Sequence, residues 1–204
     1  PAHHFADRNQ FRAIQLSPDG ATIAFEGTFD GESKIVLMYA ATREPIGSIP
    51  IEDKLEFEWF RWAGSDKIIL SVSYAGEFMG ADVRYTRLIL IHTKEYWAEL
   101  LGRKNGVVEG DNVIHIAKDG SYALVSVQAS IYDYPSVFRY DLDRKNAIKS
   151  LQGPRDGVWN WVADNTGVVR MGTGWQGRQL RVFYRSRDGE PLKLVGKLKE
   201  GDEA

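Results

Sequence analysis

The chain contains no cysteine, which removes disulfides, thiolate nucleophiles and cysteine-based zinc or iron–sulfur sites, and leaves the compartment open. It has no apolar run approaching the roughly 20 residues that cross a bilayer as a helix. The longest runs, "RLILIH" and "KIILSV", have the length of strands. Charge of neither sign dominates: 26 Lys and Arg against 28 Asp and Glu, interspersed, give a formal net charge of −2. Without a basic stripe to neutralise phosphates or a polybasic segment to hold anionic lipid, neither nucleic acid nor a membrane is an expected partner.

What is present is enough for a core. Over 204 residues, 43% are hydrophobic and 26% charged, so the chain can bury apolar surface as one large domain or two small ones, and disorder is excluded as its main state. The stretch "LSPDGATIAF" at 16–25 sets a Pro-Asp-Gly turn between an apolar residue and an alternating run. Cousins of it return as "WAGSDKIILSVS", "IAKDGSYALVSV" and "VADNTGVVRMGT". Pro18 presets φ at the second turn position, Asp19 can bond backbone, and Gly20 tolerates positive φ.

Aligned on the turn, the chain reads as four units, about 11–50, 57–102, 112–153 and 158–196. Each runs from a short apolar segment through a turn, a strand, a variable loop and a long strand to a last short strand. The long strands "KIVLMYA", "RLILIHT", "SVFRYDL" and "LRVFYRS" are rich in β-branched and aromatic residues. "HTKEYWAELLG" has a partly helical look, with Thr93 as N-cap and Glu99 in the second turn, but register against the other units argues for turn plus strand. Tandem four-stranded units of about 40 residues predict an all-β fold, a β-propeller segment of about four antiparallel blades over 1–204. A β-sandwich is the competing fold; we favour the propeller because a sandwich has no reason to repeat its turn and loop order.

"LSPDGATIAF", with "FADRNQFRAIQ" ahead of it and "VFRYDLDRKNAIKSL" further on, resembles the N-terminal β-propeller of the prolyl oligopeptidase family, serine peptidases with acylaminoacyl- and dipeptidyl-peptidase-like members. TolB-like propellers share the "LSPDG" turn and its alternating strand. The resemblance covers essentially the whole chain. It implies a non-catalytic propeller that gates or orients peptides for an α/β-hydrolase domain of the same parent protein. The family's Ser-Asp-His triad belongs to that domain, at a G-x-S-x-G elbow. This sequence has no G-x-S-x-G, so no catalytic residue carries over. With fewer units than the family's propellers and a proline at position 1, the chain reads as a segment or trimmed form, with the periplasm of a bacterium favoured over its cytoplasm. The alternative is a stand-alone TolB-like propeller that binds protein or peptide. Unpaired sheet edges also lead us to expect self-association.

Other motifs have bland explanations. Gly172, Gly174 and Gly177 in "GTGWQG" match G-x-G-x-x-G, with Asp188 and Glu190 downstream, but a strand pattern follows where a helix is needed, so we expect a hairpin loop and no cofactor. His3, His4, His92 and His115 lack metal-ligand spacing, so no metal site is expected. Ser17, Ser65 and Ser121 lie in turns that explain them. Glu56 with Glu58 and Asp141 with Asp143 could share a strand face, but read as charged strand ends. Phe57, Trp59, Phe60, Trp62, Trp159 and Trp161 are expected in the core between blades.

One asymmetry remains. The loops after the second strand of each unit, "GTFDGES", "YAGEFMGADVRY", "ASIYDYPS" and "GTGWQGRQ", carry Phe29, Tyr74 with Phe78, Tyr132 with Tyr134, and Trp175. In a propeller such loops emerge on one face. Tyr74, Phe78, Tyr132, Tyr134 and Trp175 are therefore the candidate peptide- or partner-binding residues.

Overall fold

The structure, a computed structural model, describes residues 11–29, 31–102 and 108–199. The expected all-β fold is present: four four-stranded antiparallel sheets in sequence order, with no helix among the described residues. The described residues fall into two compact units, one within Pro1–Leu101 and Lys118–Gly120, the other within Gly102–Ala117 and Ser121–Ala204.

In the first unit, blade 1 comprises β1 (Phe11–Leu16), β2 (Thr22–Phe29), β3 (Glu32–Tyr39) and β4 (Pro45–Pro50), and blade 2 comprises β5 (Glu56–Ala63), β6 (Lys67–Phe78), β7 (Ala81–His92) and β8 (Trp97–Leu101). Period-two alternation turns Ala24, Ile35, Leu37 and Ile49 of blade 1 onto Phe60, Trp62, Ile68, Leu70 and Val72 of blade 2. Each fully buried aliphatic side chain contributes about 1.5–3 kcal/mol to this contact. The Gln15 side chain donates to Phe60 O at 2.6 Å, stitching β1 to β5.

In the second unit, blade 3 comprises β9 (Val113–Ile116), β10 (Tyr122–Val127), β11 (Ser136–Asp141) and β12 (Ile148–Gln152), and blade 4 comprises β13 (Asn160–Ala163), β14 (Val169–Gln176), β15 (Gln179–Tyr184) and β16 (Lys193–Lys199). Leu124 and Val137 pack on Val158, Trp161, Val169 and Phe183. The Trp161 indole N–H donates to Pro135 O at 2.7 Å, so the ring is both buried and satisfied.

The repeated turn works as its residues dictate. Gly20 N–H donates to Ser17 O at 2.8 Å, and Gly20 holds φ at +75°, where a Cβ would be strained. The Ser17 hydroxyl donates to Asp19 and accepts from Thr22 N–H. In the fourth unit Asp164 accepts from the Thr166 and Val168 N–H groups, the Thr166 hydroxyl and Arg170, which holds its carboxyl well below the usual range. "HTKEYWAELLG" forms turn plus strand, as its register predicts.

The glycine-rich loops are where the structure departs from expectation. "YAGEFMGADVRY" is almost wholly strand: β6 and β7 pair from Lys67↔His92 to Phe78↔Ala81, closed by a two-residue turn with positive φ at Met79 and Gly80. "GTGWQGRQ" is the expected hairpin, but its strands stay paired up to a tip at Gly177. A two-residue turn needs only its tip residues at positive φ, so the remaining glycines are free to serve packing. A Cβ on Gly172 would meet Trp161 and Val158 at 2.9 Å, and one on Gly174 would meet Gly157 O at 2.0 Å. The motif marks close backbone approach, not a phosphate cradle.

Candidate recognition site

Of the four connections read as aromatic loops, "ASIYDYPS" is a loop up to Pro135, with Ser136 opening β11, and its own polar side chains build it. Gln128 Nε2 donates to Asp133 O at 2.8 Å. The Ser130 hydroxyl donates to Asp133 Oδ2 at 2.7 Å while Asp133 N–H returns to Ser130 O. This tight turn lifts Tyr132 to its crest, 82% exposed. Tyr134 folds back edge-on against Trp159, ring centroids 5.0 Å apart. Trp159 is 45% exposed, which corrects its placement in the core. The reason is position in the chain: it precedes β13, and its N–H bonds Thr173 O at the end of the sheet.

Beside Trp159 is a cleft of about 80 Å³ lined by Glu109, Asn112, Ser126, Val127, Gln128, Pro135 and Trp159. Ser126 is buried, and its hydroxyl oxygen has no hydrogen-bond partner among the described residues. An unsatisfied buried hydroxyl costs about 1–3 kcal/mol, so the cleft favours an occupant, water or a ligand group, that supplies that bond. With one aromatic wall, one carboxylate and a hydroxyl, the arrangement suits a polar group on an apolar stem.

Trp175 does not join this cluster. Gly172 and Gly174 face Trp161 and Gly157 within the unit, so Trp175, one residue on, points from the opposite side of the sheet. In the first unit, Tyr74 stacks on Tyr85 at 5.2 Å, with the Arg87 guanidinium 5.7 and 5.4 Å from the two rings. Phe78 stands at the far end of the same arm, on the same face as Tyr74 by register. Phe29 closes β2 against Phe11, at 5.9 Å.

The remaining candidates take structural roles. Arg84 lies 2.6 Å from both Glu56 and Glu58 and bridges the two carboxylates, offsetting one of their two charges. Asp141 accepts from the N–H groups of Asp143 and Arg144, a turn cap. His92 stacks on Trp97 at 4.1 Å, and burial lowers the pKa of His115 against the opposing pull of Asp164. His3 and His4 lie outside the described residues. Among the described residues no group of three or more metal-ligating side chains gathers, and no helix is long and apolar enough to cross a membrane. Phe57 is partly buried and Phe60, Trp62 and Trp161 are core.

The sequence reading missed Glu26, fully buried in β2. Arg12 donates to it through two nitrogens, at 2.8 and 3.2 Å, and Ser33 at 2.7 Å. The signal was available: a carboxylate on the apolar side of an alternating strand, with an arginine in the preceding strand.

No family model matches the chain, and no curated protein matches it by sequence. Solved structures do match it. An acylaminoacyl peptidase in complex with Z-Gly-Gly-Phe-chloromethyl ketone aligns over 91% of this chain and 32% of its own, at 15% identity and TM-score 0.56. An uncharacterised protein from Listeria monocytogenes EGD-e aligns over 87% of this chain and 49% of its own, at 10% identity and TM-score 0.54. The β-propeller domain of the Trilobed protease from Pyrococcus furiosus aligns over 94% and 56%, at 14% identity and TM-score 0.48. The chain thus spans between about a third and about half of these proteins. The class is that of β-propeller blades. The likeness is one of fold.

Proposed function

We propose that the chain is a non-catalytic propeller module that recognises peptide, in the manner of the propeller portion of a prolyl-oligopeptidase-like serine peptidase that orients substrates for a hydrolase domain. The observation that carries this reading is the loop of the second unit, which presents Tyr132 exposed and whose Gln128 and Pro135 line a cleft together with Trp159 and the unsatisfied Ser126 hydroxyl. The fold likeness to an acylaminoacyl peptidase supports the hydrolase-associated form. A stand-alone, TolB-like protein-binding module would use the same surface, and a G-x-S-x-G elbow elsewhere in the same polypeptide separates the two.

Fluorescence anisotropy of labelled peptide libraries tests the reading. Tyr132→Ala and Trp159→Ala are expected to weaken binding by about 1–3 kcal/mol each, and Tyr132→Ala to leave the melting temperature unchanged. Binding that neither variant alters would overturn the assignment of this surface. The chain alone is expected to leave chromogenic aminoacyl and prolyl amides intact; turnover that survives repurification and yields to a serine-directed inhibitor would refute the non-catalytic role.

A further inference from the structure

The core of the second unit ends in a polar layer. Along β10, Leu124 and Ser126 lie on one side of the strand by its period of two, and Leu124 belongs to the cluster that holds Val158 and Trp161 of blade 4. Ser126 therefore points the same way, toward the segment that carries Trp159. It is 3% exposed, and its hydroxyl has no hydrogen-bond partner among the described residues. Its backbone N–H already donates to Asn112 O at 2.8 Å, so the side chain alone lacks a bond. A buried hydroxyl in that condition calls for an occupant of the cleft that it lines.

The chemistry around the hydroxyl selects the occupant. Among the lining residues the charged group is the Glu109 carboxylate, with no lysine, arginine or histidine beside it. The segments 108–112 and 128–135, which supply most of the lining, carry Glu109, Asp111 and Asp133 and no Lys or Arg. Arg155, which precedes Trp159 in the chain, is turned onto the Phe183 ring at 4.2 Å. A lining of negative sign that also offers a hydroxyl oxygen suits an ammonium or a guanidinium, which donates and never accepts. An anion would meet Glu109 without a cation to hold it. An apolar side chain would leave Ser126 unsatisfied.

We propose that this cleft selects the basic side chain of a bound peptide, with Trp159 against the methylene stem and with Ser126 and Glu109 accepting from the charged head. This rests on the peptide-binding reading and adds the class of residue that the site reads. Trp159 lines the cleft with its ring 45% exposed, and the stems of lysine and arginine lie along such surface while the head keeps polar company. Attraction of a cation to the indole face acts in the same direction. One water needs roughly 10–15 Å³, so the cleft of about 80 Å³ takes roughly five to eight non-hydrogen atoms. That matches the end of a basic side chain and excludes the backbone of a peptide.

Anisotropy titrations with labelled, amidated pentapeptide pools test the selection, the pools differing in a central Lys, Arg, norleucine or Glu. Norleucine keeps an apolar stem and lacks the charge. At about 50 mM salt, where screening is slight, the Lys and Arg pools are expected to bind about tenfold or more tighter than the norleucine pool, and the Glu pool weakest. Glu109→Gln should bring the Lys and Arg pools to within about twofold of norleucine. Ser126→Ala should weaken the Lys pool about threefold or more, yet melt no lower than the unmodified chain, because it deletes an unsatisfied hydroxyl and not a bond. Near-ultraviolet circular dichroism monitors the fold of each variant. Norleucine binding as tightly as Lys, or a Lys preference that survives Glu109→Gln, would overturn the selection; peptide binding that Trp159→Ala still weakens would then leave the broader reading standing. Binding by none of the pools would overturn both.

Discussion

Gly174→Ala is a decisive perturbation, because this glycine belongs to the stretch that imitates a nucleotide-binding motif yet has a purely steric reason to exist. A Cβ at this position would stand 2.0 Å from Gly157 O and 2.9 Å from Trp159 N. Both are backbone, so no side chain can rotate away. Ordinary contact requires a separation of roughly 3.4 Å, so the 157–159 segment must retreat by more than about 1 Å. That movement pulls against the Trp159 N–H bond to Thr173 O, 2.9 Å long, and against Val158, which is wholly buried in the second unit's core. Overpacking costs about 1–3 kcal/mol and losing the bond about 1 kcal/mol more, so we expect a loss of roughly 3 kcal/mol. For a unit of about 100 residues this lowers the melting temperature by about 12–24 °C. Gly177→Ala is the internal control: its Cβ would meet nothing within 4 Å, and only its φ of +60° imposes a cost, about 1 kcal/mol. Thermal melts followed by tryptophan fluorescence distinguish the two. If Gly174→Ala melts as high as Gly177→Ala, the steric account of the motif is wrong.

The carboxyls of Glu26, Asp19 and Asp164 all have pKa values lowered in the fold, from ordinary values of 4.5, 3.8 and 3.8. Between the lowered and ordinary values the unfolded chain binds more protons, so stability is full above about pH 4.5 and falls on acidification. Urea midpoints between pH 2 and 7 check this, with Asp164→Asn expected to flatten the acid limb; a midpoint that rises on acidification would contradict it. Arg12→Ala removes the cation that faces the buried Glu26 carboxylate. Because Arg12 is itself half exposed, the expected loss is about 2 kcal/mol rather than the 3–5 kcal/mol of a fully buried pair. Adding Glu26→Gln should restore part of it, and a double variant as unstable as the sum of the singles would refute the coupling.

The repeat was legible because its determinants are local. A Ser-Pro-Asp-Gly turn carries its own bonds, from Ser17, Asp19 and Gly20, and the strands that follow alternate with the period of a pleated sheet, so register and blade order could be read without any distant contact. The glycines of β14 form the hairpin that the strand pattern after them predicts, but the reason for their small size was not legible. Gly172 and Gly174 are small because Trp161 and Gly157 approach them from elsewhere in the unit, and nothing in the local string distinguishes such a glycine from one that loosens a loop.

The aromatic candidates divide along the same line. Trp159 and Trp161 are two residues apart, on the same side of a strand by period, yet the first is half open and the second buried, because distance from the sheet's end decides cover where parity cannot. Tyr132 and Trp175 both have exposed rings, but one crowns a loop stiffened by Ser130 and Asp133 while the other lies in a paired strand, opposite Leu180. Exposure alone would have given them one role. The loop that carries Tyr132 adjoins a small cleft lined by Trp159 and the Ser126 hydroxyl, whereas Trp175 stands on a strand paired with Leu180, so what lies next to each ring, and not its exposure, tells the two apart.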